Sequence, residues 1–148
     1  MAGIHFHSQD IPFKLKNSRL VADWLVKVAK KEKAGFASLD FIFCTDQFLS
    51  TINRDFLQHD EYTDIITFDY GDSRKSRQEI EGEVYISVQR VKENASTYQT
   101  LFEDELHRVM VHGVLHLCGY GDKTPAEKAE MRKKEDACLS LREFHVKP

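Results

Sequence analysis

His112 and His116 stand four residues apart in the stretch Val111 to Asp122, which reads V-H-G-V-L-H-L-C-G-Y-G-D. On an α-helix that spacing stacks two imidazoles one turn apart on one face, close enough to share an ion. Gly119 follows three residues later, and glycine ends a helix at little steric cost because it accepts a left-handed turn. The chain can then double back and bring the Asp122 carboxylate to the same point. Two imidazoles and a carboxylate are a three-ligand set for zinc, with the fourth corner of the tetrahedron open to water. The pattern predicts an open metal site built for chemistry. His112, His116 and Asp122 would hold one zinc, or a similar divalent ion, per chain.

The spacing is similar to that of zinc peptidases that read H-E-x-x-H and continue to a Gly and a third ligand. Those enzymes place a glutamate general base directly after the first His, and here that residue is Gly113. Peptide hydrolysis needs a proton shuttle to the leaving amine, and this helix supplies none at that place. Cys118, two residues after His116 and directly before Gly119, is expected to be packed rather than coordinating.

The elements that must position these residues follow from periodicity. Ile4 to Ser8 alternates as a strand, and Asn17 or Ser18 caps a helix to about Glu32 with Val21, Trp24, Leu25 and Val28 inward. Leu39 to Cys44 reads as a buried strand after a break at Gly35. Thr45 or Asp46 then caps a helix carrying Phe48, Leu49, Ile52 and Phe56. Two strands, Asp64 to Tyr70 and Gly82 to Val88, are most simply joined as a hairpin through a polar turn holding Arg74, Lys75 and Arg77. A helix over Gln89 to Tyr98 follows. Thr100 and Glu103 spell a capping box for the site helix, with Leu106, Val109, Met110, Gly113 and Leu117 as its buried stripe. Thr124 and Glu127 spell a second box, with Pro125 at the first position of a charged last helix whose narrow apolar stripe holds Met131, Cys138 and Leu141. The order predicts an α+β (mixed α/β) fold: one small mixed sheet of about four strands with helices packed on it, in a single domain over 1–148.

A chain of 148 residues can bury a real core. The net charge of −3 gives no global basic field, so any nucleic-acid contact must use a local patch. Three cysteines, none in a C-x-x-C pair, fit reduced thiols in a cytoplasmic protein. Neither a signal peptide nor a membrane span is read in the chain.

H-G-V-L-H-L-C-G-Y at His112 to Tyr120 resembles the signature of the YbeY family, bacterial metal-dependent endoribonucleases of ribosomal RNA maturation. I-N-R-D-F at Ile52 to Phe56 with T-D-I-I-T-F at Thr63 to Phe68, and G-E-V-Y-I-S at Gly82 to Ser87, resemble two further blocks of that family in order and spacing. The sequence departs from the family pattern at two places. The usual G-Y-D-H, with a third His ligand, is G-Y-G-D, so Asp122 takes the ligand position; the usual Arg after L-N-x-x-Y is Leu57. Arg54 or His59 could supply the missing cation, and Tyr120 could stack a base. The resemblance implies a zinc-dependent endoribonuclease of single-stranded RNA, acting with the ribosome in 16S ribosomal RNA processing and ribosome quality control. Two other readings stand beside it: a zinc hydrolase of another substrate, peptide included, and a non-catalytic ribosome-assembly factor with a structural metal.

Overall fold

The computed structural model describes residues 3–56, 63–71 and 79–144. Its elements run β1 (Ile4–Ser8), α1 (Ser18–Lys31), β2 (Gly35–Cys44), α2 (Asp46–Phe56), β3 (Ile65–Asp69), β4 (Glu79–Ser87), α3 (Val88–Tyr98), α4 (Phe102–Leu117) and α5 (Pro125–Leu139). The fold is α+β, with one mixed sheet ordered β1-β2-β4-β3. β1 and β2, and β2 and β4, pair in parallel. Parallel neighbours need a crossover, and α1 provides the one from β1 to β2. β3 returns antiparallel along β4, from Ile65 opposite Ile86 to Asp69 opposite Gly82, the pairing expected of a hairpin.

Strand alternation sorts side chains onto two faces. Leu39, Phe41 and Phe43 of β2 and Val84 and Ile86 of β4 enter the main core, under α1, α3, α4 and α5. Cys44, Ile66 and Tyr85 point the other way and pack with Leu49 and Ile52 of α2. The sheet is therefore covered on both faces. Val21, Trp24, Leu25 and Val28 of α1 are all buried, as their spacing requires.

α4 is the central helix, and it is buried more widely than a single stripe. Leu106, Met110, Val111, Val114 and Leu115 have no exposed surface, because α4 meets β3 and β4, α3, α5 and α1. Gly113 faces the sheet. A Cβ there would lie 3.0 Å from Val84 Cγ1 and 3.1 Å from Ile65 Cδ1, so the absent side chain sets how closely α4 approaches the strands.

Several ends differ from the sequence reading. The Thr100–Glu103 box does not form: α4 is preceded by Leu101 in extended conformation, with no side-chain capping bond. The Thr100 N–H donates instead to Ala95 O at 2.9 Å, closing α3 after Gln99 turns into the left-handed region. Glu103, Asp104 and Glu105 occupy the first turn of α4, where carboxylates suit the helix dipole. Thr45 rather than Asp46 caps α2, its hydroxyl accepting from Phe48 N at 3.1 Å. β2 starts at Gly35, four residues early, with a register shift between Phe36 and Ser38. β4 ends at Ser87, which is the N-cap of α3, its hydroxyl accepting from Arg90 N–H at 3.1 Å. The capping box at Thr124 and Glu127 forms in full, with Pro125 in the first turn.

Among the described residues, no helix is long and apolar enough to cross a membrane.

Candidate metal centre

α4 ends in a Schellman turn. Gly119 N–H donates to His116 O at 2.9 Å and Tyr120 N–H to Leu115 O at 3.0 Å, the two bonds that satisfy the last carbonyls of a helix. Gly119 has φ 109°, which side chains rarely adopt. The turn sends the chain back along the helix end. Gly121 next leaves room for the Glu127 carboxyl, which a Cβ would meet at 3.1 Å. Asp122 then stands over both histidines, its Oδ2 3.3 Å from His112 Nε2 and 3.5 Å from His116 Nε2.

Both imidazoles are held from behind. His112 Nδ1 lies 2.6 Å from Glu135 Oε2, and His116 Nδ1 lies 2.9 Å from Tyr120 O. A carboxylate and a carbonyl accept only, so in a neutral ring the proton sits on Nδ1 and the Nε2 lone pair points outward. Two lone pairs and a carboxylate oxygen then converge with no hydrogen among them. Such an arrangement calls for a cation. The surroundings favour positive charge at His112: burial pushes its pKa down, but the bond to Glu135 and the charges of Glu135, Asp122 and Asp64 outweigh it, for a net rise.

The size of the gap fits a metal as well. The edge of a tetrahedron is about 1.6 times its centre-to-corner distance, so zinc bonds of ~2.0–2.1 Å put neighbouring ligands roughly 3.3 Å apart. The two His–Asp separations match that edge, and one donor atom from each of the three residues lies within 4.8 Å of the others. The sequence placed these three residues together, and the structure brings them together.

Glu135 was not legible as part of the site. It is 5 % exposed on α5 and also accepts from Arg108 Nη1 at 2.9 Å, while Arg108 Nη2 reaches Asp136 at 2.6 Å. Its spacing gave a signal: Glu135 lies four residues after Met131 and three before Cys138, in phase with the buried stripe. A small cavity of about 190 Å³ opens beside His112, walled by Asp64, Asn94, Tyr98, Glu105, Arg132 and Glu135 among others. Burial pushes the Asp64 and Glu105 carboxyls up, and Asn94 Nδ2 donates to Asp64 at 3.3 Å. Arg132 and Tyr98 are both exposed there.

Tyr120 is tied into the turn, its hydroxyl donating to Glu32 at 2.7 Å and its ring 5.0 Å from Lys134 Nζ. Arg54 is exposed in the last turn of α2 and does not line the cavity beside His112. His59, Leu57, Arg74, Lys75 and Arg77 lie outside the described residues. Cys118 is half-buried, and burial pushes its thiol up to about 11, so at neutral pH it stays protonated and packs.

The family model described as endoribonuclease YbeY matches residues 3–142. A protein of Cytophaga hutchinsonii named endoribonuclease YbeY is 50 % identical over 141 residues, covering 95 % of this chain and 96 % of the relative. A protein of the same name from Amoebophilus asiaticus is 51 % identical over 134 residues, covering 90 % and 89 %. The solution structure of TM1509 from Thermotoga maritima superposes with a TM-score of 0.64 at 27 % identity, covering 93 % of this chain and 87 % of that one.

Proposed function

The chain belongs to the endoribonuclease YbeY family, and from that premise we propose that it is a metal-dependent, single-strand-specific endoribonuclease of ribosomal RNA maturation. One observation carries the metal part of the reading: His112 Nε2, His116 Nε2 and Asp122 Oδ2 converge as three acceptors, with both Nδ1 atoms already committed. A divalent ion held there, zinc in the first instance, supplies a Lewis acid that acidifies an attacking water and offsets charge on the scissile phosphate.

This chain's own residues do the remaining work. Glu135 holds the His112 ring in the tautomer that presents Nε2, and the Tyr120 carbonyl does the same for His116. Asp122 brings one negative charge to the set. Arg132 offers a cation to the RNA backbone at the mouth of the cavity, and Tyr98 offers an exposed ring on which a base can stack. Arg54, in the last turn of α2, is a further contact for the RNA backbone, and His59 is a second one proposed from the sequence. Tyr120 serves to fix the turn rather than to stack a base. The setting is the cytoplasm, on ribosomal RNA at the ribosome.

The geometry favours neither alternative. A peptidase needs a carboxylate after His112, where Gly113 abuts Val84 and Ile65. A purely structural metal suits a closed site, whereas the His112, His116 and Asp122 side chains are 20 %, 26 % and 40 % exposed and reachable by a substrate. The direct test is cleavage of a single-stranded RNA by purified protein before and after chelation, with casein as control. Loss of RNA cleavage on chelation and recovery with added zinc is the expected result. Digestion of casein with no cleavage of RNA would overturn the assignment.

A further inference from the structure

A cavity of about 870 Å³ opens at the start of α1, walled by Lys14, Lys16, Asn17, Arg19, His107 and Phe144 among others. It shares no lining residue with the cavity beside His112. His107 precedes His116 by nine residues on α4, roughly 13 Å along the axis at ~1.5 Å per residue.

Three features of the wall point to one chemistry. First, α1 is 14 residues long and begins without a side-chain cap. Val21 N–H is the first to turn inward, donating to Asn17 O at 2.9 Å, so the N–H groups of Ser18, Arg19 and Leu20 have no acceptor within the helix. All three residues line the cavity. Second, Lys14, Lys16 and Arg19 are exposed there, and among the described residues none of them forms a salt bridge. Glu103 is the acid in this wall; burial pushes its carboxyl up against the pull of the nearby Lys16 charge.

The third feature is His107, which is 2 % exposed. Arg142 Nη1 stands 2.9 Å from its Nδ1. A guanidinium can only donate, so Nδ1 accepts and the ring proton sits on Nε2. Burial and the Arg142 charge hold the His107 pKa down to about 4 against the pull of Asp104, so at neutral pH the ring keeps that tautomer. Among the described residues, His107 Nε2 is the one buried side-chain nitrogen or oxygen with no partner. Buried donors are seldom left so.

We propose that this cavity is a phosphate-binding site separate from the metal centre, with the α1 amides, Lys14, Lys16 and Arg19 holding the oxyanion and His107 Nε2–H donating to one ligand oxygen. Helix N-termini with converging amides and cations take anions. The several oxygens and high charge of a phosphate match three amides and three cations better than the two oxygens of a carboxylate do. The same donors would read the backbone phosphate of an RNA strand or a free small phosphate.

The test is a ¹⁵N NMR titration of the full chain, first with inorganic phosphate and then with a short single-stranded oligoribonucleotide. Inorganic phosphate is expected to move the Ser18, Arg19 and Leu20 amide signals and the His107 ring nitrogens. The exposed double variant Lys16→Gln/Arg19→Gln should bind about tenfold more weakly or worse, and His116→Ala should bind like the parent. If the oligoribonucleotide moves the same signals, the ligand is an RNA strand; if it leaves them still, the ligand is a small phosphate. Stationary signals with both probes, or undiminished binding by the double variant, would overturn the site. Loss of phosphate binding in His116→Ala would overturn its independence from the metal centre.

Discussion

At the scale of single residues, the site is a problem of arranging acceptors, and two side chains test how that is solved. Glu135 fixes the His112 tautomer and is itself held by Arg108. Glu135→Gln keeps the shape but loses the charge and one acceptor, so metal affinity should fall about 10–100-fold, the usual cost of removing such a supporting group. A metal titration checks this, and unchanged affinity would mean that His112 needs no support. Asp122 stands where the resemblance in sequence implies a third histidine. Carboxylate oxygen is a harder ligand than imidazole and cancels about one unit of the ion's charge. Asp122→His should therefore retain the ion and raise the preference for zinc over manganese, read in competition titrations with the two metals. Loss of the ion would show that the turn positions a carboxylate and nothing larger.

At the scale of elements, legibility followed distance along the chain. The two histidines, the turning Gly119 and Asp122 fall within eleven residues, so the 3.6-residue period and one turn suffice to bring them together. Glu135 reaches His112 from another helix, 23 residues on, and only the packing of α5 on α4 reveals it. The Thr100–Glu103 box failed because its letters serve either of two adjacent helices, and the end of α3 claimed Thr100. The box at Thr124 succeeded because no preceding helix competes for it. Gly113 shows how packing governs chemistry: it lies against β3 and β4. Gly113→Glu would force a carboxylate against Val84 and Ile65, at a cost of several kcal/mol from overpacking and burial of a charge. The expected outcome is a large drop in the denaturation midpoint with no gain of peptidase activity. A stable variant that digests casein would contradict this account of why the position is glycine.

At the scale of the whole molecule, one sheet covered on both faces buries α4 as a central axle, with the candidate metal centre at its C-terminal end and His107 nearer its start. His107 links that axle to stability. Its pKa falls from 6.5 to about 4 in the fold, because burial and then Arg142 disfavour its charge. The unfolded chain thus binds more protons between those values, and stability rises with pH across that window. The contribution is fully present above about pH 6.5 and is lost towards pH 4, on the order of 3 kcal/mol at about 1.4 kcal/mol per pH unit. Urea denaturation as a function of pH should show this slope, and it should flatten in His107→Phe. An unchanged slope would place the acid sensitivity elsewhere. The central claim is that His112, His116 and Asp122 hold the ion on which RNA cleavage depends. It is tested most directly by measuring metal content and single-strand cleavage on the same preparations of the parent, His116→Ala and Asp122→Ala. The account predicts about one divalent ion per chain and cleavage in the parent, with both lost in His116→Ala and both reduced in Asp122→Ala. Full metal content and undiminished cleavage in either variant would contradict it.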